Sequence, residues 1–260
     1  MSAVARSTYR RLIAVAVVLL GTAAAFLSAT NVFPDCTYAI YSEARRLIKA
    51  AAPLEKLPRE KPKPHEVPPC PGVPPTMQTI SPGQYFPLGV LGCGERTDQF
   101  LISWYSNHLK ALGEPSLFAL SRSDPRAKVY RFLWLRTFNH PVSVRLVIDH
   151  DLTGVLIVKI ANGAGGYAPG ALIRNERIPI GKHGPTLLLT RLSETNFWAL
   201  PRRTSPGGFD GAQWIVEGVT DGRYQLVDRW TPGEGDPIHT LGMTFLADLA
   251  GLRIDPKEIY

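Results

Sequence analysis

The segment at residues 210–232, DGAQWIVEGVTDGRYQLVDRWTP, constrains the fold more than any other part of the chain. Asp221-Gly222 lies between two apolar runs, and an Asp-Gly pair in that setting is the strongest short-range signal for a β-hairpin with a two-residue turn. Such a turn fixes the register of the two strands. It predicts that Val219 lies opposite Tyr224, Glu217 opposite Leu226, Ile215 opposite Asp228, Trp214 opposite Arg229, and Gln213 opposite Trp230.

Both faces of this hairpin carry apolar side chains. Opposed residues of an antiparallel pair share a face, which assigns Ile215, Val219, Tyr224, Leu226 and Trp230 to one face together with Glu217 and Asp228. The other face holds Trp214, Val216, Val227 and Arg229. Because neither face is clearly polar, the hairpin is predicted to lie at the centre of a domain that covers it on both sides.

The N-terminus has the pattern of a membrane-targeting segment. Residues 1–11 contain Arg6, Arg10 and Arg11 without an acidic residue, and residues 12–33 are apolar. A run of roughly twenty apolar residues is long enough to cross the bilayer as a helix, with its basic end in the cytoplasm. The pattern predicts a single-pass protein of the bacterial inner membrane whose remaining residues are periplasmic. The alternative is a cleaved signal peptide and a secreted protein.

Two connecting segments separate this anchor from the globular part. Residues 34–52 have apolar side chains at helical spacing and predict an amphipathic helix beside the membrane. Residues 53–76 are rich in proline, which favours an extended spacer of about 3.1 Å per residue. The globular domain is predicted to span residues 77–260.

The chain contains three cysteines, Cys36, Cys70 and Cys93. An odd number outside the cytoplasm leaves one thiol free or paired with another molecule. Cys70 and Cys93 flank the start of the domain and are the candidates for a disulfide, which would leave Cys36 to link two chains into a homodimer. Cys93 also precedes a predicted helix, so a reactive thiol is the alternative for that residue.

The distribution of charge excludes a nucleic-acid-binding domain. The whole chain has a formal charge of +7, but residues 77–260 contain 19 Lys and Arg and 17 Asp and Glu, which gives 19 − 17 = +2. A nucleic-acid surface needs its basic excess on the folded part. The basic excess here belongs to the anchor and linker.

The domain pattern predicts an α+β fold with a largely antiparallel sheet and about three helices. The helices are predicted at residues 97–112, 184–196 and 238–250, and the strands before the hairpin at residues 128–138, 142–148, 154–161 and 172–180. The strands are grouped in the middle of the domain and do not alternate with helices, which argues against a parallel βαβ arrangement.

The sharpest catalytic hypothesis concerns Glu217 and Asp228, which are diagonal neighbours on one face of the hairpin. Two close carboxylates in apolar surroundings have their pKa values driven apart and can act as acid and base. The alternative is that each carboxylate pairs with an arginine of the sheet, such as Arg136 or Arg145. Structural ion pairs of this kind are common.

An aromatic stripe in the first strand, comprising Tyr130, Phe132, Trp134 and Phe138 with Arg136, suits either a core or a groove for a glycan or peptide. The groove hypothesis makes Tyr130, Trp134, Arg136 and Trp230 the candidate binding residues. No metal-ligand spacing of histidines and no nucleophile motif is present, so neither a metal nor a cofactor is predicted. The glycine-rich residues 162–170 indicate a hairpin loop.

Several short segments together resemble a family of uncharacterised bacterial exported or envelope proteins. They are FWALP at residues 197–201, DGAQW at 210–214, GRY at 222–224, DRWTP at 228–232, and the last helix. The resemblance implies no known activity, and Gln225 occupies a position where that pattern has a histidine. We therefore expect an extracytoplasmic domain that binds an envelope protein or glycan, with a cell-envelope hydrolase using Glu217 and Asp228 as the alternative.

Overall fold

The computed structural model describes residues 80–91, 95–204 and 207–260. The predicted segments at residues 1–11, 12–33, 34–52 and 53–76 lie outside the described residues, as do Cys36, Cys70 and Cys93. Among the residues that are described, no helix combines the length and the apolar character needed to cross a bilayer.

The described part folds into one six-stranded antiparallel sheet with helices packed against it. The helices are α1 (Glu95–Ala111), α2 (Leu117–Ser123), α3 (His183–Glu194) and α4 (Pro237–Met243), and the strands are β1 (Val129–Arg136), β2 (Val142–Ile148), β3 (Gly154–Ala161), β4 (Leu172–Ile180), β5 (Ala212–Thr220) and β6 (Arg223–Trp230). Strand order across the sheet is β4-β3-β2-β1-β5-β6. The predicted α+β class and antiparallel sheet are confirmed.

The β5–β6 hairpin has the register that the Asp221-Gly222 turn predicts. Both turn residues have positive φ, at 50° and 69°, the left-handed region that a two-residue hairpin turn requires. All five predicted opposed pairs are present. The central strand β1 pairs with β2 on one side and with β5 on the other, so β5 lies inside the sheet.

The back face of the sheet, defined by the side chains of Tyr130, Phe132, Trp134 and Trp214, is covered by the C-terminal part of the chain. It packs against α3, α4 and a π-helical turn, Thr244–Leu249, that continues α4. The helix predicted at residues 238–250 is therefore two consecutive helical forms. The 3₁₀ turn Phe197–Ala199 adds a further apolar contact to this core.

The front face, defined by the side chains of Arg131, Leu133, Ile215 and Glu217, is covered by α1 and α2. Apolar side chains of α1, including Leu101, Ile102, Tyr105 and Leu109, pack on Leu133, Ile215 and Leu226. Helix α2 was not predicted, although Ser116 caps its N-terminus by accepting a hydrogen bond from the Ala119 amide at 3.1 Å. Helices thus cover both faces of the β5–β6 hairpin, as the sequence predicts, but the hairpin is not central in the sheet, because β6 is its edge strand.

Candidate functional site

A buried group of charged side chains lies at the centre of the front face. Arg131 is fully buried and donates to Glu217 Oε2 from Nε at 2.9 Å and also from Nη2. Its Nη1 donates to the Pro115 carbonyl at 2.7 Å and lies 3.4 Å from Glu114 Oε2. We call Arg131 and the side chains joined to it, namely Glu217, Glu114, Arg145, Lys159 and Tyr224, the Arg131 cluster.

Every carboxylate of the Arg131 cluster has a cationic partner. Glu114 Oε2 accepts from Arg145 Nε at 2.7 Å, and Glu114 Oε1 lies 3.1 Å from Lys159 Nζ. Glu217 Oε1 accepts from the Tyr224 hydroxyl at 2.8 Å. Burial alone would raise the pKa of Glu114, but Arg131, Arg145 and Lys159 together lower it. The cluster is therefore a charged, hydrogen-bonded support beneath α1 and α2.

Asp228 occupies a separate environment on the same face. It is fully buried, and its Oδ2 accepts from the Tyr105 hydroxyl at 3.1 Å and lies 3.3 Å from Arg203 Nε. Its Oδ1 has no hydrogen-bond partner among the described residues. Burial raises the pKa of Asp228 from 3.8 to about 6, against the opposing effects of Arg203, the Tyr105 hydrogen bond and Arg229.

Glu217 and Asp228 are therefore diagonal neighbours on one face, as predicted, but they do not form an open acid–base pair. Both side chains are fully buried, and each has its own arginine. The arginines differ from those that the sequence suggested, because Arg136 pairs with Glu258 at 2.8 Å and Arg145 with Glu114. The partners of Glu217 and Asp228 are Arg131 and Arg203.

The environment of Asp228 predicts a pH dependence of stability. Because its pKa is higher in the folded protein than in the unfolded chain, Asp228 contributes stability that is fully present below about pH 3.8 and is lost as the pH rises through about 6. We expect Asp228→Asn to remove this dependence and to raise the free energy of unfolding at pH 8 by no more than about 3 kcal/mol. Urea unfolding of the full chain between pH 5 and 8 measures both effects.

A matched control for this prediction is Asp248→Asn, which removes the same charge from an exposed position. The control should retain the pH dependence of the parent protein. If Asp228→Asn also retained it, Asp228 would not be the group that titrates.

The aromatic stripe of β1 lies mainly in the back-face core. Tyr130, Phe132 and Trp134 are at most 2% exposed, so the predicted binding residues Tyr130 and Trp134 do not reach the surface. Arg136 is 8% exposed, and its guanidinium carbon lies 4.1 Å from the centroid of the Trp134 ring. Strand alternation identified which residues share a face but not which face the C-terminal helices cover.

The fourth candidate, Trp230, lines a cleft at the end of the front face that we call the aromatic cleft. Its volume is about 570 Å³. Helix α1 contributes Phe100, Trp104 and Asn107, which lie on one side of the helix because of their spacing. The opposite wall comes from the segment before β5, where Phe209 is 97% exposed.

The glycine-rich loop at residues 162–170 forms another wall of the aromatic cleft. A Cβ at Gly165 would lie 2.5 Å from the Arg136 carbonyl oxygen, so only glycine lets this loop approach the end of β1 so closely. The Trp104 indole donates to the Gly165 carbonyl at 2.9 Å and to His108 Nε2 at 3.1 Å. These contacts place Tyr167 at the rim of the cleft.

The floor of the aromatic cleft contains a buried amide. Gln213 is 3% exposed, lies opposite Trp230 in the sheet, and lines the cleft. Its Oε1 atom has no hydrogen-bond partner in the part of the chain that the structure describes. Arg203 also lines the cleft, and its Nε is held 3.3 Å from Asp228 Oδ2. The sequence signal for Gln213 was the hairpin register, which places Gln213 opposite the candidate binding residue Trp230.

Histidine and acidic side chains do not assemble into a metal site within the described ranges, where no group of three or more His, Cys, Asp or Glu is arranged to hold an ion. His108 is fully buried, and burial lowers its pKa to about 4. It is therefore neutral at pH 7, which suits its role as the acceptor of the Trp104 hydrogen bond.

Comparisons with known proteins add no family to this description. A scan against models of protein families gave no match, and a search of curated proteins gave no significant match.

Proposed function

We propose that the chain is a membrane-anchored, extracytoplasmic binding module that takes a glycan of the bacterial envelope in its aromatic cleft. In this proposal residues 12–33 anchor the chain in the inner membrane, and residues 53–76 hold the domain away from the bilayer. The sequence pattern supports both assignments. Membrane fractionation of cells that produce the chain distinguishes this anchored form from a secreted form released by cleavage.

The observation that carries the binding proposal is a group of exposed aromatic rings around one cleft. Phe100 and Tyr167 are each 64% exposed and Phe209 is 97% exposed. Phe138, which is 61% exposed, lies with its ring centroid 6.2 Å from that of Tyr167. Large exposed apolar patches of this kind mark interaction sites in soluble domains.

The polar groups of the aromatic cleft favour an uncharged ligand with hydroxyl groups. Ser103, Asn107, Thr137 and Gln213 line it with hydroxyl and amide groups. The charged side chain among its lining residues is Arg203, which forms an ion pair with Asp228. A sugar ring presents a face of C–H groups to aromatic rings and a rim of hydroxyls to such polar groups. Gln213 lies at the buried floor of this polar set, and its Oε1 has no hydrogen-bond partner among the described residues.

The hydrolase alternative has weaker support. A carboxylate pair needs contact with substrate and water, whereas Glu217 and Asp228 are fully buried and ion-paired.

The test measures binding of a soluble N-acetylglucosamine tetrasaccharide to the full chain by isothermal titration calorimetry. We expect the double variant Tyr167→Ala, Phe209→Ala to weaken binding by about tenfold or more, because each aromatic contact contributes on the order of 1 kcal/mol. Both side chains are largely exposed, so the fold should persist in the variant.

Ile173→Ala is the matched control, because it truncates an apolar side chain that is 58% exposed on β4, outside the aromatic cleft. Its affinity should equal that of the parent protein. Absence of saccharide binding by the parent protein, or equal affinities for the double variant and the control, would contradict the proposal.

A further inference from the structure

A second cavity lies beside the turn of the β5–β6 hairpin, at the outer edge of β6. Its volume is about 490 Å³. Its lining includes Phe118, Arg122, Trp198, Arg202, Arg223 and Tyr224, and it shares no lining residue with the aromatic cleft. We call it the basic cavity.

The walls of the basic cavity come from three elements that the fold brings to this edge. Helix α2 provides Phe118 and Arg122, and the 3₁₀ turn provides Trp198. Gln225 of β6 fixes the segment after that turn by donating to the Leu200 carbonyl at 3.0 Å. This segment continues into Arg202, which lines the basic cavity, and Arg203, which lines the aromatic cleft.

The basic cavity has three guanidinium groups and no carboxylate among its lining residues. Arg223 lies over the Trp198 ring at 4.4 Å, and Arg122 lies over the Phe118 ring at 5.2 Å. These cation–π contacts hold two of the guanidinium groups against the aromatic walls.

Arg202 differs from the other buried or partly buried arginines in its lack of an ion pair with a described acidic side chain. Among the arginines that are buried or partly buried, Arg131, Arg136, Arg145, Arg174, Arg191, Arg203 and Arg229 each have a carboxylate partner. Arg202 is half-buried, yet it forms no ion pair with a described acidic side chain, and burial lowers its pKa. The guanidinium of Arg202 has already lost part of its hydration in the unliganded protein. An anionic ligand can therefore pair with it without a further desolvation cost for this group.

The ligand chemistry follows from these groups. A guanidinium group forms two parallel hydrogen bonds with the oxygens of a phosphate, and several arginines suit a doubly charged anion. The cavity is larger than a bare phosphate ion, and the half-buried Trp198 provides apolar surface for an attached group. We propose that the basic cavity binds a phosphate monoester, with Arg202 and Arg223 contacting the phosphate oxygens.

The test titrates sn-glycerol 3-phosphate into the full chain by isothermal titration calorimetry. Arg202→Gln should weaken binding about tenfold or more, since it removes a charge-assisted contact. Arg202→Lys keeps the charge but not the two-point geometry and should show an intermediate affinity. Arg177→Gln, at an exposed position on β4, removes an equal charge elsewhere and should leave binding unchanged. Thermal unfolding of each variant verifies that the fold is retained.

Two further titrations define the charge of the ligand and the group attached to its phosphate. Affinity should fall as the pH is lowered through about 6, where a phosphate monoester loses its second charge. Methyl sulfate carries one charge throughout this range, so it should bind more weakly than the phosphate monoester at pH 8 and show no such pH dependence. A short-chain diacyl derivative of the same phosphate, if it binds more tightly, would identify a lipid headgroup as the natural source. Absence of phosphate binding, equal binding of methyl sulfate, or equal losses for Arg202→Gln and Arg177→Gln would overturn the proposal.

Discussion

Replacing Arg131 with methionine is expected to lower the free energy of unfolding by about 3 to 5 kcal/mol. Arg131 is fully buried and is the cation that pairs with Glu217, and it also contacts Glu114 and the Pro115 carbonyl. Methionine fills similar space but carries no charge. The substitution therefore leaves Glu217 in a buried position where Tyr224 is its remaining hydrogen-bond donor among the described side chains.

Urea unfolding of the full chain at pH 7 measures this loss. Arg191→Met is the matched control, because Arg191 pairs with Glu194 on the exposed surface of α3, where such pairs contribute less than about 1 kcal/mol. The double variant Arg131→Met, Glu217→Leu should recover part of the stability, since it removes the unpaired carboxylate as well. A loss for Arg131→Met no larger than that of the control would contradict the assignment of Arg131 as the centre of the cluster.

Trp214→Ala is expected to cost a similar amount, about 3 to 5 kcal/mol, because it empties the centre of the back-face core. The Trp214 ring is fully buried and lies 5.3 Å from the Phe132 ring and 5.5 Å from the Trp134 ring, measured between centroids. A Cβ at Gly242 would lie 2.4 Å from this ring, so α4 packs directly on it. The Trp214 indole also donates to the Tyr260 carbonyl at 2.9 Å.

Thermal unfolding and urea unfolding of the full chain both measure the effect of Trp214→Ala. Phe209→Ala is the comparison, because it also removes a large aromatic side chain, but one that is 97% exposed. Its effect on stability should stay within about 0.5 kcal/mol. If the two variants lost equal stability, Trp214 would not be a core residue.

The features that the sequence predicted well are local. Asp221 and Gly222 tolerate the positive φ that a two-residue turn requires, and this turn fixes the pairing of β5 with β6. The strands predicted at residues 142–148, 154–161 and 172–180 have the bounds of β2, β3 and β4. Helix α2 was missed because it is only 7 residues long, although Ser116 before an apolar pair was a readable N-cap signal.

The features that could not be predicted depend on contacts between distant parts of the chain. The partner of Glu217 is Arg131, which lies 86 residues away in the sequence. Neither the sequence of β1 nor that of β5 indicates that these two strands are neighbours in the sheet. A charged residue at position 131, on the same strand face as Leu133 and Leu135, was a sign of a buried ion pair. The aromatic cleft also combines α1, the glycine-rich loop and the end of β6, of which only Trp230 was a candidate from sequence.

The pairing of β1 with β5 also has a consequence for the newly made chain. At about 5 to 20 residues per second, a ribosome needs roughly 4 to 17 s to add the 86 residues between Arg131 and Glu217. During that interval one edge of β1, VYRFLWLR, has no neighbouring strand. An unpaired apolar edge of this kind promotes association with other chains, and a charge within it opposes that association. We therefore expect Arg131 to oppose association of the nascent strand before Glu217 is synthesised.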